Sequence, residues 1–278
     1  KGTETSQAEV KPPRFAARTF NSSLPFYVFV QETAQSVGRR VGQTPSATPL
    51  EIPACWIWKV QVGAPVKDWD LLTREISLNK VPGLQLFGVA DTDLKHLEHL
   101  TGLLYLGLYN TAFTDAGLLH LKGLTQLESL GLVYTQITDA GLEHLKGLTK
   151  LTSLNASDTL VTDAGLEHLK ALPELQTLDL QNTLITDAGL RHLKDLTSLQ
   201  RLFLQRTRIR GAGLEHLRSL TGLQQLRLGN TAVTDVGLSH LKDLTELQFL
   251  GLLNTQITDA GLAHLKDLTK LETLILGG

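Results

Sequence analysis

From Leu103 onward the chain repeats itself every 24 residues, a period that excludes most folds before any other property is weighed. LLYLGLYNTAFTDAGLLHLKGLTQ at 103–126 is followed by LESLGLVYTQITDAGLEHLKGLTK at 127–150, and further units begin at Leu151, Leu175, Leu199, Leu223 and Leu247. That makes seven full units over 103–270, with a partial eighth at 271–278 and a degenerate helical half, DTDLKHLEHL, at Asp91–Leu100. A unit of 24 residues holds one strand and one short helix, too little to bury its own leucines, so consecutive units must stack on one another.

Each unit changes its hydrophobic period midway. The first half reads LxxLxL, as in Leu175, Leu178 and Leu180, the pattern of a short strand with one buried side. The second half reads [IV]TDAGLxHLKxLTxL and sets Leu190, Leu193 and Leu196 three apart, which is helical or 3₁₀ spacing. Asp187 falls where a helix N-cap belongs and Lys194 near the far end, where a cation is favoured. Asp115, Asp139, Asp163, Asp235 and Asp259 are expected to cap in the same way. Stacked strands lie about 4.8 Å apart, whereas packed helices prefer roughly 8–10 Å, so the helical side is the longer one. The prediction is an α/β solenoid bent into an arc, with a parallel β-sheet on the concave face and short helices on the convex face.

These residues resemble the leucine-rich-repeat family, in a 24-residue TDAGL form with Thr where many repeats carry Asn: Thr111, Thr135, Thr159, Thr183, Thr207, Thr231 and Thr255. Repeats of this kind are similar to those abundant in bacteria such as planctomycetes, and more distantly to those of F-box-type and ribonuclease-inhibitor-like proteins. The resemblance covers about 91–278. It implies a curved solenoid that binds other molecules, usually proteins, on its concave face, and it leaves the ligand unidentified.

Residues 1–54 are expected to form an extended or partly disordered arm. Residues 1–50 hold Pro12, Pro13, Pro25, Pro45 and Pro49 and six basic residues against three acidic. Residues 55–90 are expected to form an N-terminal cap for the array: Trp56–Val62 alternates like a strand, Asp68 caps a helix from Trp69 to about Leu78, and Gly83–Phe87 forms a first inner strand. A remnant of a separate upstream domain is the alternative for that stretch. At the other end Leu276, Gly277 and Gly278 stop one position before the repeat's Thr. The expectation is that the natural protein continues, or that this end docks on another copy. The chain opens on Lys1 and holds no methionine, so processing or truncation is expected, and a cytoplasmic and an exported location both stay open.

Composition removes several function classes. Lys and Arg number 26 against 28 Asp and Glu, a net charge of -2 that argues against coating nucleic acid or an anionic membrane. The longest apolar run, Leu24–Val30, falls far short of the ~18 residues a membrane-spanning helix needs. A lone Cys55 excludes an internal disulfide framework and a multi-thiolate metal site, and it is expected as a buried thiol. His96, His120, His144, His168, His192, His216, His240 and His264 recur at the repeat period and suggest a metal ladder. Stacked helices hold equivalent atoms roughly 8–10 Å apart, too far for one zinc reached within ~2.1 Å by each ligand. These histidines are expected to fill the helical face. No Gly-rich phosphate loop, HExxH, GxSxG or paired-cysteine motif occurs, so no catalytic residue, metal or cofactor is expected and the chain is not expected to be an enzyme.

A residue that recurs in every unit is scaffold, so function is sought in departures from the repeat. Alternate strand positions point outward. They carry Tyr105 and Tyr109 at the early end, with Tyr134 beside them; Asp179 in the middle; and Arg201, Phe203, Arg227 and Phe249 further along. The fifth unit departs most, reading TRIRGAG where others read TxITDAG, which introduces Arg206, Arg208 and Arg210 and replaces Asp with Gly211. Aromatic and Arg side chains dominate interface energetics, and grouped guanidinium groups favour carboxylate or phosphate partners. Arg201, Phe203, Arg206, Arg208 and Arg227 are either the centre of a contact site for an acidic partner or a solvated Arg-rich edge partly neutralised by Asp179. The functional expectation is a protein-protein interaction module that binds on its concave face. The alternative is an assembly subunit that docks in a larger complex through its N-terminal arm and uncapped C-terminal end.

Overall fold

The computed structural model describes residues 13–33, 38–62 and 65–277, and the chain divides into two compact units, Lys1–Leu86 and Phe87–Gly278. In the first unit the alternation of FYVFVQ drives Phe26, Val28 and Val30 into a core with Phe20, Ile52 and Trp58. That unit runs β1 (Arg18–Phe20), β2 (Phe26–Gln31), β3 (Arg39–Gln43), β4 (Leu50–Ile52), β5 (Ile57–Val62), helix α1 (Trp69–Leu78) and β6 (Gly83–Phe87), of which Phe87 falls in the second unit. β1 pairs antiparallel with β4; β2 lies antiparallel between β3 and β5, and β6 runs parallel to β5. The extended arm expected over 1–54 therefore corresponds, where it is described, to four strands. Residues 1–12 and 34–37 of it lie outside the described residues. Its prolines sit in the connections: Pro25 immediately before β2, Pro45 and Pro49 between β3 and β4. α1 begins where expected, with the Asp68 carboxylate accepting from the Leu71 amide at 2.9 Å, and it buries Leu72 and Ile76.

The second unit is the repeat array. Its strands are β7 (Tyr105–Tyr109), β8 (Ser129–Gly131), β9 (Ser153–Asn155), β10 (Thr177–Asp179), β11 (Arg201–Phe203), β12 (Gln225–Arg227), β13 (Phe249–Gly251) and β14 (Thr273–Ile275). All pair in parallel, and equivalent repeat positions lie opposite one another: Leu106 on Leu130, Leu154 on Leu178, Leu202 on Leu226. Each central leucine from Leu106 to Leu250 is buried, so the two flanking positions of every strand form outward columns.

The repeated Thr closes the corner after each strand. Thr135, Thr159, Thr183, Thr207, Thr231 and Thr255 each donate the hydroxyl to the carbonyl three residues back, at 2.6–2.8 Å. A carbonyl that turns inward at the strand end thereby gains a partner without water.

The repeated Asp does something other than cap its own helix. In Thr114, Thr138 and Thr258 the hydroxyl caps the turn, accepting from the amides of Ala116, Ala140 and Ala260. The Asp that follows is the first helical residue, and its carboxylate crosses to the next repeat. Asp115 accepts from the Thr138 amide at 2.8 Å and from the Thr138 hydroxyl at 2.6 Å. Asp91 does the same to Thr114, Asp139 to Thr162, Asp163 to Thr186 and Asp235 to Thr258. The glycine of TDAG has its reason here: a Cβ on Gly141, Gly165, Gly189 or Gly261 would collide with the carboxylate of the preceding repeat. The turns that carry these residues are single turns, α in some repeats (Leu166–Leu169) and 3₁₀ in others (Gly189–His192).

The clamp predicts a local cost. Asp139→Ala leaves the Thr162 amide and hydroxyl without their acceptor and should lower stability by roughly 1–2 kcal/mol in denaturant titration. Asp195→Ala, at an exposed carboxylate on the same side of the array, should change it by less than about 0.5 kcal/mol.

Candidate functional site

At the early end of the strand face, β7 presents Tyr105 and Tyr109, whose hydroxyls lie 2.5 Å apart. The Tyr109 ring lies across Gly107 and Gly131, and any side chain at either position would strike it. The Phe87 ring packs against it at 5.9 Å between centroids. Two glycines in one outward column thus make a floor for an aromatic platform. Burial pushes both phenols above the ordinary tyrosine range; at Tyr105 the neighbouring Tyr109 adds to the shift, while at Tyr109 the hydrogen bond with Tyr105 opposes it.

Further along, β11, β12 and β13 build a second cluster. The Arg227 guanidinium carbon stands 5.1 Å from the Phe203 ring centroid and 4.9 Å from that of Phe249, between the two rings. With its side-chain oxygen turned toward Arg227, Gln225 accepts from Nε and Nη2, both at 2.8 Å. Arg201 donates through Nε to the Thr177 hydroxyl at 3.0 Å, and burial lowers its pKa. Asp179, opposite Phe203 in the register, accepts from the Gln181 amide at 3.0 Å. Burial raises its pKa, the Gln181 bond opposes that, the Asp158 charge adds to it and the Arg227 charge offsets part of it.

A constraint invisible in the strand columns governs the residue that follows each strand. Asn110, Tyr134, Asp158, Asn182, Arg206, Asn230 and Asn254 recur at the repeat period, and all are left-handed, with φ between 49° and 57°. Asn and Asp tolerate that conformation; Tyr and Arg adopt it at a cost of roughly 1–2 kcal/mol. Side-chain ladders along this column, Asn182 to Asp158 at 2.6 Å and Asn254 to Asn230 at 3.0 Å, are interrupted where Tyr134 and Arg206 stand. Tyr134 is 62% exposed, so no burial repays its strain.

The structure thus brings together Arg201, Phe203, Arg227 and Phe249, with Asp179 beside them, and separately Tyr105 with Tyr109. The two groups lie five strands apart, about 24 Å at about 4.8 Å per strand. Tyr134 and Arg206 occupy the edge where each strand ends. Arg208 lies beyond that edge: its exposed side chain lines a shallow depression with Arg210, Thr186 and Asp187. Sequence reasoning left Gln225, Thr177 and Phe87 out of the candidate set, although Gln225 shares an outward column with Arg201 and Phe249. The repeated histidines from His96 to His240 are half-exposed and His264 is exposed, and His120 Nδ1 lies 2.6 Å from Glu98 of the preceding repeat. That bond holds the Glu98 carboxyl below its ordinary range. Among the described residues no three His, Cys, Asp or Glu side chains converge as metal ligands, and no helix is long and apolar enough to cross a membrane. Cys55 is buried, which pushes its thiol up.

A family model for the leucine-rich repeat matches residues 173–233. An internalin from Listeria monocytogenes has a similar solved structure, with a TM-score of 0.56 and 26% identity over 73% of this chain. The array has a leucine-rich-repeat fold. The match spans 63% of that internalin's length. An internalin C2 of the same organism aligns with a TM-score of 0.52 and 23% identity, covering 78% of this leucine-rich-repeat chain and 80% of its own, and it shows the fold alone. No curated protein matches the sequence.

Two measurements check the site's physics. In a phenolate absorbance titration, part of the tyrosine signal should rise well above the usual pKa of about 10, and the Tyr105→Phe, Tyr109→Phe double variant should lose that late part. Tyr134→Asn, which installs the residue found at Asn110 and Asn182, should raise stability by roughly 1 kcal/mol in denaturant titration.

Proposed function

We propose that this leucine-rich-repeat protein is a non-catalytic interaction module whose strand face binds a protein partner. The observation that carries the reading is the Arg227 side chain, fixed between the Phe203 and Phe249 rings and by Gln225. Nothing in the stacking of repeats calls for an arginine there. A guanidinium already immobilised loses little further entropy on binding, which is the property of an interface anchor. Its preferred contact is a carboxylate, so an acidic partner is favoured, with Arg201 as the adjacent cation. The Tyr105, Tyr109 and Phe87 platform supplies a second, less polar contact about five strands away.

The test is capture of partners by the intact chain and by a Phe203→Ala, Arg227→Glu variant of matched thermal stability. A partner held by the first and lost, or weakened by at least about 2 kcal/mol, in the second is the expected result. Equal retention by both would contradict it and would favour the assembly reading, in which the docking surfaces lie outside the strand face.

A further inference from the structure

Three regularities of the array fail within one stretch, Arg206–Gly211. At the left-handed position five of the seven units carry Asn or Asp, and this one carries Arg206 at φ 56°. Arg210 stands where other repeats place the Thr that the preceding Asp clamps, and Gly211 stands where they place the Asp itself. Gly211 takes φ +114°, and Thr234 in the next repeat has no side-chain cap bond and no carboxylate reaching it from Gly211. Asp187 compensates in part by accepting from the amides of Arg210, Gly211 and Gly213 at 3.1, 3.0 and 2.9 Å.

The main chain nevertheless keeps its course. The Arg206 amide bonds to Gly229 and the Arg208 amide to Ile185, so the side chains are displayed from a fixed backbone. Thr207 and Ile209 are buried while Arg206, Arg208 and Arg210 are exposed, Arg206 from the turn that ends its strand and Arg208 and Arg210 from the depression beyond it. Among the described residues, none of the three side chains has an ion pair or hydrogen bond. Local order has been given up where three cations without a side-chain partner fall within five residues, and no packing gain accompanies them.

The surroundings select the ligand. Asp187 lines the same depression as Arg208 and Arg210, and by repeat position Asp158 and Asp163 precede it and Asp235 follows, so the cationic patch is short. A long polyanion such as nucleic acid would meet those carboxylates. A short segment with alternating acidic side chains would not. We infer that Arg206, Arg208 and Arg210 form a second contact site, distinct from the strand face, for a short extended acidic segment of a protein partner. This inference stands apart from the strand-face reading, and either can fail alone.

The array itself supplies the test variant. Arg206→Asn, Arg208→Gln, Arg210→Thr and Gly211→Asp together restore what Asn182, Gln136, Thr186 and Asp187 provide elsewhere. The probe is a fluorescent acetyl-Glu-Thr-Glu-Thr-Glu-amide peptide, with its lysine counterpart and a single-stranded oligodeoxynucleotide as comparators. The expected result is salt-sensitive binding of the glutamate peptide to the intact chain and at least about tenfold weaker binding to the restored variant. The restored variant should also melt about 2–6 °C higher, and Phe203→Ala should leave peptide binding unchanged. Equal peptide binding by the intact and restored chains would overturn the inference. So would a lower melting temperature of the restored variant, which would give the arginines a structural role. Loss of peptide binding in Phe203→Ala would move the site to the strand face, and tighter binding of the oligonucleotide than the peptide would replace the partner class.

Discussion

The array depends on a carboxylate that works outside its own repeat. One Asp per unit ties the first turn of the next, through a backbone amide and a hydroxyl, and a glycine beside it lets the two turns come close enough for the bond to form. Leucine burial is non-directional and would tolerate small shifts of one repeat over the next. The Asp–Thr clamp is directional, and with the strand pairing it fixes equivalent residues opposite one another at both ends of each stack.

Because the clamp, the Thr corner and the leucines carry the stacking, the outward strand positions are released from structural duty. Gly107 and Gly131 can then form a floor for Tyr109, while Gly251 next to Arg227 leaves that side chain uncrowded. One scaffold therefore displays an aromatic platform and a stacked arginine without altering a single strand register. The fifth repeat is different in kind, since there the departures reach the clamp itself: Asp187 meets Arg210 in place of a Thr, and Gly211 leaves Thr234 without a carboxylate, before the bonds resume between Asp235 and Thr258.

Much of this was legible in the sequence. The repeat period, the strand columns and the span of α1 follow from spacing and from Asp68, because each depends on residues close together in the chain. The role of the repeated Asp was hidden because its acceptor bonds fall 23 residues away, and a carboxylate read locally is assigned to its own helix. The strands in 13–54 were hidden by proline and serine, which outweighed the alternation in FYVFVQ although the prolines sit between strands. The left-handed column was in plain view at Asn110, Asn182, Asn230 and Asn254, but only backbone angles show why Asn recurs and what Tyr134 and Arg206 cost. Gln225 acquires meaning only beside Arg227, since a lone glutamine on a strand has no signature.

If the carboxylate clamp is what orders the turns, its loss at Thr234 must be visible in the native state. Residue-resolved amide hydrogen exchange under native conditions compares Thr138, Thr162, Thr186 and Thr258, whose amides are held by an Asp, with Thr234, which faces Gly211. The account predicts that the Thr234 amide exchanges at least about tenfold faster than the other four. Equal protection at all five positions would mean that leucine packing alone orders the array, and the central role given to the clamp would be wrong.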